Sequence, residues 1–136
     1  MKTLHIILLL FFATNIWAQK LYVVSVGICD YKDSQVNDLR FTEADVASFN
    51  KVVKTHTNEV YALLGSKATH ANVYSCINQV FAKATNNDAV MLFFSGHGYP
   101  GGFCCYDMNK TTGGLTYTEI SSLFKYNPQN EMFLKN

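Results

Sequence analysis

Ala89-Val-Met-Leu-Phe-Phe94 runs directly into Ser95-Gly-His-Gly98. Six apolar residues without polar alternation describe a strand covered on both faces, as in a parallel sheet. The motif that follows places an imidazole just past the strand's carboxyl end, between glycines that let backbone approach a ligand closely. The working groups of open parallel sheets sit at that edge.

Working upstream, Leu21-Tyr-Val-Val-Ser-Val-Gly-Ile28 is a second nearly continuous apolar, β-branched run. Turn-like residues occupy 30–37, and Thr42 to about Thr55 reads as a helix with Val46, Phe49, Val52 and Val53 on one side. Thr42-x-x-Asp45 has the form of a capping box at its start. Asn58 to Leu64 is a strand closed by Gly65. Thr69 to about Ala84 is a helix whose face carries Val73, Cys76, Ile77, Val80 and Phe81, which assigns Cys76 to packing.

Downstream of His97, a Gly/Pro loop extends through Gly102, and Phe103 to Tyr106 reads as a short strand. Thr116-x-x-Glu119 is a further capping box, with Leu115 and Ile120 spaced as a hydrophobic staple ahead of Leu123 and Phe124. Pro128 ends that helix, and Met132-Phe-Leu134 opens a fourth strand. The strand–helix alternation predicts an α/β fold: an open, mainly parallel sheet with helices on both faces. The first strand is expected between the second and third, with His97 near Cys29 and Asp30.

The N-terminus reads differently. Lys2, the apolar run Ile6 to Ala13, and Ala18 before Gln19 have the grammar of a secretory signal over residues 1–18. The run is too short for a membrane span, which needs about 20 apolar residues. Export to the periplasm or the outside is therefore expected, with residues 19–136 forming one small domain. Removing Lys2 with the signal leaves equal numbers of basic and acidic residues. That balance gives no basic stripe for nucleic acid and no polybasic membrane surface. Cys29, Cys76, Cys104 and Cys105 match no zinc spacing and read as buried or half-buried thiols, and disulfides among them stay open.

His97 is the candidate catalytic residue, since an imidazole titrates near neutral pH and can act as a general base. The plainer alternative is a turn histidine at a strand end. A nucleophile elbow fails because Phe93, not glycine, stands two residues before Ser95. A phosphate loop fails because the third glycine is out of register and no helix signal follows Gly98.

Phe93-Phe-Ser-Gly-His-Gly98 resembles the strand-plus-histidine segment of the caspase and metacaspase cysteine peptidases. Val24-Ser-Val-Gly-Ile28 with Tyr31, Leu39-Arg-Phe-Thr-Glu-Ala-Asp45 and Gly114-Leu-Thr116 are similar to other stretches of that family, from Leu21 to about Leu134. The resemblance implies a three-layer caspase-like fold, incomplete at the C-terminus. It implies a cysteine endopeptidase acting on peptide or protein substrates without metal or cofactor. His97 would be the catalytic histidine, and the backbone N–H of Gly98 would serve the oxyanion hole. Asp45 aligns with an acidic position that receives basic side chains in metacaspases, although the capping box is the preferred reading of that residue. Arg40 sits near a substrate-binding arginine of some caspases, but its surroundings do not fit and no role is transferred.

The family's nucleophilic cysteine lies roughly 50 residues beyond the histidine, whereas 39 residues follow His97 and none carries its signature. Cys104 and Cys105 are only seven and eight positions on. The resemblance thus implies the histidine half of a peptidase, with a complementary C-terminal half carrying the nucleophile. A non-catalytic caspase-fold module used for binding is the alternative.

Overall fold

A computed structural model of the chain describes residues 19–124. The expected signal over 1–18, Pro128 and the fourth strand at 132–134 lie outside the described residues. Three parallel strands make the main sheet: β1 (Leu21–Gly27), β2 (Val60–Leu64) and β3 (Ala89–Ser95), in the order β2-β1-β3. β1 pairs with β3 from Leu21↔Ala89 to Gly27↔Ser95, and with β2 from Val23↔Val60 to Gly27↔Leu64. The nearly continuous apolar run of β1 thus takes the central position, where both its faces and both its edges are covered.

Alternation of side chains along β1 divides the core. Tyr22, Val24, Val26 and Ile28 face a cluster with Val73, Ile77, Val80 and Phe81 of α2 (His70–Phe81) and Ile120, Leu123 and Phe124 of α3 (Tyr117–Phe124). The opposite face takes α1 (Thr42–Val53), where Phe49 stacks on Phe93 with ring centroids 4.1 Å apart. Helices therefore cover both faces, α1 on one and α2 with α3 on the other. Gly27 is where α1 comes closest: a Cβ there would lie 2.8 Å from Val46 Cγ2 and 2.9 Å from the Thr42 carbonyl oxygen.

Two readings of the sequence need correction. The stretch after His97 is not simply a loop: β4 (Gly98–Tyr99), β5 (Gly102–Cys104) and β6 (Gly114–Thr116) form a small antiparallel sheet in the order β4-β5-β6. Pro100-Gly101 makes the turn between the first two, with Gly101 at φ 111°. Proline first and a left-handed glycine second is the type II pattern, so the residues that suggested a loop build a hairpin.

The second correction concerns the capping box at Thr42. Phe41 occupies the N-cap of α1 and makes no side-chain cap bond. Thr42 is consequently the first helical residue, one place too late, and Asp45 cannot reach back to close a box. The box at Thr116 does form. Glu119 N–H donates to Thr116 Oγ1 at 3.1 Å, and Thr116 N–H donates to Glu119 Oε2 at 2.8 Å. Leu115 and Ile120 are both fully buried in one cluster.

Candidate active site

β1 and β3 end together, since Gly27 pairs with Ser95 and Ile28 N–H donates to the Ser95 carbonyl at 3.1 Å. Cys29 and His97 both follow by two residues, so the same sheet edge carries them. The first turn of α1 reaches this edge from above. Cys29 Sγ lies 3.1 Å from Thr42 Oγ1, and Ser95 Oγ donates to Asp45 Oδ2 at 2.8 Å. Both side chains withheld from the capping box are thus spent on the sheet edge. Asp45 is exposed there, with its carboxylate within reach of the motif that carries His97.

His97 is half-buried and held at four points. Its N–H donates to the Tyr31 hydroxyl at 2.8 Å, and its carbonyl accepts from Cys104 N–H at 2.8 Å. The ring lies 5.2 Å from the Tyr31 ring, tilted by 38°, and Nε2 sits 2.7 Å from the Asn37 carbonyl oxygen. A carbonyl only accepts, so Nε2 carries the proton and, in the neutral ring, Nδ1 keeps the lone pair. In this orientation the neutral imidazole has Nδ1 as its proton-accepting nitrogen.

Gly98 follows from ladder arithmetic. The bond from Cys104 N–H to His97 oxygen makes 97 and 104 a hydrogen-bonded pair. Alternation along an antiparallel ladder then makes Gly98 and Phe103 a non-bonded pair, so the Gly98 N–H points away from β5. Gly98 is exposed, and its N–H is a donor available to a negative oxygen beside the histidine. Gly96 is small for a local reason. A Cβ there would lie 2.8 Å from the Phe94 ring and 3.0 Å from the Tyr31 hydroxyl.

The four cysteines are free thiols, with Cys104 and Cys105 buried and Cys29 and Cys76 half-buried. Burial pushes the Cys105 thiol up to about 12 and also raises Cys104 and Cys76. Thiolate is the attacking form, so burial makes Cys104 and Cys105 poor nucleophiles despite their nearness in sequence to His97. Cys76 lies in α2 and lines a groove with Tyr61, Leu63 and Lys83, packed partly against the core as its place on the apolar face predicts.

Tyr31, Asn37 and Asp38 were not singled out by their chemistry in the sequence. Tyr31 entered only through resemblance, and the other two act through a backbone carbonyl and a loop tie. Spacing shows neither.

The family model described as Caspase domain matches residues 21–134. The chain belongs to the caspase domain family. Two solved structures share the fold. A crystal structure of protein GSU0716 from Geobacter sulfurreducens superposes with TM-score 0.67 at 21% identity, covering 79% of this chain and 46% of that one. The structure of pro-sf-caspase-1 gives TM-score 0.63 at 13% identity, covering 80% of this chain and 43% of that one. This caspase-domain chain thus spans less than half the length of these two solved structures. No curated protein matches its sequence significantly. Among the described residues, no helix is long and apolar enough to cross a membrane.

Proposed function

We propose that this chain carries the histidine half of a caspase-like cysteine endopeptidase. His97 acts as general base through Nδ1, and the Gly98 N–H supplies one donor to the oxyanion hole. The nucleophilic cysteine comes from a complementary C-terminal half of the domain. In the first step the thiol proton moves to His97 while sulfur attacks the peptide carbonyl, and the carbonyl oxygen gains charge beside Gly98 N–H. Collapse of the adduct releases the amine, which takes the proton from His97, and water then hydrolyses the thioester. Asp45, exposed at the same edge, is a candidate receiver of a basic substrate side chain.

The observation that carries this reading is the 2.7 Å contact from His97 Nε2 to the Asn37 carbonyl, which leaves Nδ1 as the lone-pair nitrogen and so supports its use as the base. The test is turnover of fluorogenic peptides with Arg, Lys or Asp before the scissile bond. The chain alone is expected to be inactive, because neither buried thiol suits attack. Adding the polypeptide encoded immediately downstream should restore turnover, and His97→Ala should abolish it. Turnover by the chain alone that is lost on replacing Cys104 or Cys105 would sink the assignment of the nucleophile. Activity restored but indifferent to His97→Ala would sink that of the base. A downstream sequence with no strand end and no cysteine would favour a binding module instead. We also propose export with cleavage after Ala18, for which mass spectrometry should find a mature terminus at Gln19.

A further inference from the structure

The carbonyl that orients His97 belongs to an exposed residue on the long connection between β1 and α1. Such a loop does not hold an atom at hydrogen-bond distance by itself, because surface connections are the mobile part of a fold. Two ties flank Asn37 on its C-terminal side. Asp38 Oδ1 accepts from Tyr31 N–H at 3.2 Å, and Leu39 N–H donates to the Cys29 carbonyl at 2.8 Å. Tyr31 is itself anchored. It is buried, and its hydroxyl accepts from His97 N–H.

The contacts close a ring: His97 imidazole to Asn37 carbonyl, Asp38 carboxylate to Tyr31 N–H, Tyr31 hydroxyl to His97 N–H. We propose that Tyr31 and Asp38 are positioning residues for His97, bracing the loop so that the Asn37 carbonyl keeps the proton on Nε2 and leaves Nδ1 bare. The proposal rests on His97 being the base and concerns what holds it in that state. Burial pushes the Tyr31 hydroxyl up to about 12, so it stays a neutral phenol whose oxygen can accept from His97 N–H throughout the physiological range. The ring face that Tyr31 offers the imidazole adds an orienting contact.

The two residues make different demands, which the variants separate. Tyr31→Phe keeps the ring and deletes the acceptor of His97 N–H. Asp38→Ala deletes the acceptor of Tyr31 N–H, whereas Asp38→Asn retains a side-chain carbonyl oxygen that can take the same bond.

The experiment is 15N NMR of the imidazole groups in the full, uniformly labelled chain, with the His97 signals assigned by His97→Gln. In the wild type, a slowly exchanging proton on His97 Nε2 is expected. Loss of that resonance is expected in Tyr31→Phe and in Asp38→Ala, with retention in Asp38→Asn. The His70 ring, whose Nε2 lies 3.0 Å from Glu119 Oε1 on another part of the fold, is the internal control for an intact structure. If Tyr31→Phe unfolds the chain, so that the His70 signal changes as well, the Asp38 pair decides alone. Persistence of the His97 proton in Tyr31→Phe and Asp38→Ala would overturn the brace and leave the base reading standing. A wild-type ring with no held Nε2 proton would overturn both.

Discussion

Gly27→Ala tests the placement of α1 over the sheet edge that carries His97. Gly27 sits in regular strand pairing and is not among the positive-φ glycines, so alanine can adopt its backbone without strain. The obstacle is space. The added Cβ would meet Val46 Cγ2 at 2.8 Å, the Thr42 carbonyl oxygen at 2.9 Å and Glu43 Cα at 3.2 Å. Two of the three are helix backbone, which no rotamer change can move, so α1 as a whole must lift. Overpacking of this kind costs about 1–3 kcal/mol, and rigid neighbours put the cost near the top of that range. The stiffer unfolded chain returns roughly 0.4–1 kcal/mol. A net loss of about 2 kcal/mol follows, or roughly 8–16 °C in Tm for a domain near 100 residues. Urea denaturation followed by far-UV circular dichroism measures it, as a lower midpoint at unchanged slope. Gly98→Ala is the control, because its Cβ would find nothing nearer than the Gly102 oxygen at 3.7 Å. Val46→Ala in the Gly27→Ala background should recover part of the loss, since it removes one of the three contacts. Equal stability of Gly27→Ala and wild type, or equal losses at Gly27 and Gly98, would refute the close approach.

Thr116→Ala removes the acceptor of Glu119 N–H at the start of α3 and should cost about 1–2 kcal/mol in the same denaturation assay. Acid should weaken the fold through two carboxylates. Desolvation opposes the charge on Glu119, but hydrogen bonds from Thr116 and His70 outweigh it and hold its pKa below the ordinary 4.5. Asp88 is held below its ordinary 3.8 by bonds from Thr85 and Lys20. Because both folded values are depressed, their stabilisation is full above the unfolded pKa and is lost as pH falls through the folded one. Midpoints measured from pH 6 downward should therefore stay level until about pH 4.5 and then decline, less steeply in Asp88→Asn. Alkylation mapped by mass spectrometry at pH 8 should spare Cys104 and Cys105 until denaturant is added, and modification of either at the rate of an open thiol would contradict their burial.

The parallel sheet was legible because its strands are nearly continuous apolar runs, and the central place of Leu21–Gly27 followed from the short crossovers and the buried character of that run. The second face of the core was legible too, through helical spacing at Val73, Ile77 and Phe81. Local chemistry misled where one residue decided the outcome. Thr42-x-x-Asp45 has the letters of a capping box, but the helix begins one residue earlier than the box requires, and nothing in those four letters reports the close packing at Gly27. Pro100-Gly101 punctuates a chain equally well as loop or hairpin, and only the pairing of Tyr99 with Gly102 decides. His97 was found because flanking glycines mark it. Its orientation was not, because it depends on a backbone carbonyl, which every residue possesses.

The failed capping box and the site are connected. A helix whose first turn keeps its side chains for itself would leave the Ser95 hydroxyl and the Cys29 thiol to solvent. Here Thr42 and Asp45 turn instead to the ends of β1 and β3, so the first turn of α1 is bonded to both strands that deliver the loop around His97. Acidic residues early in a helix remain favourable through the dipole even without a cap bond, so Glu43 and Asp45 still stabilise α1 from where they stand. The exposed Asp45 carboxylate is then both a tie to Ser95 and the negative charge nearest the motif on this helix. Asp45→Asn keeps an oxygen for the Ser95 hydroxyl while removing the charge. It should leave the urea midpoint within about 0.5 kcal/mol of wild type. In the reconstituted peptidase it should raise KM for substrates with Arg or Lys before the scissile bond and spare those with Asp. An equal effect on all three would return Asp45 to a purely structural tie.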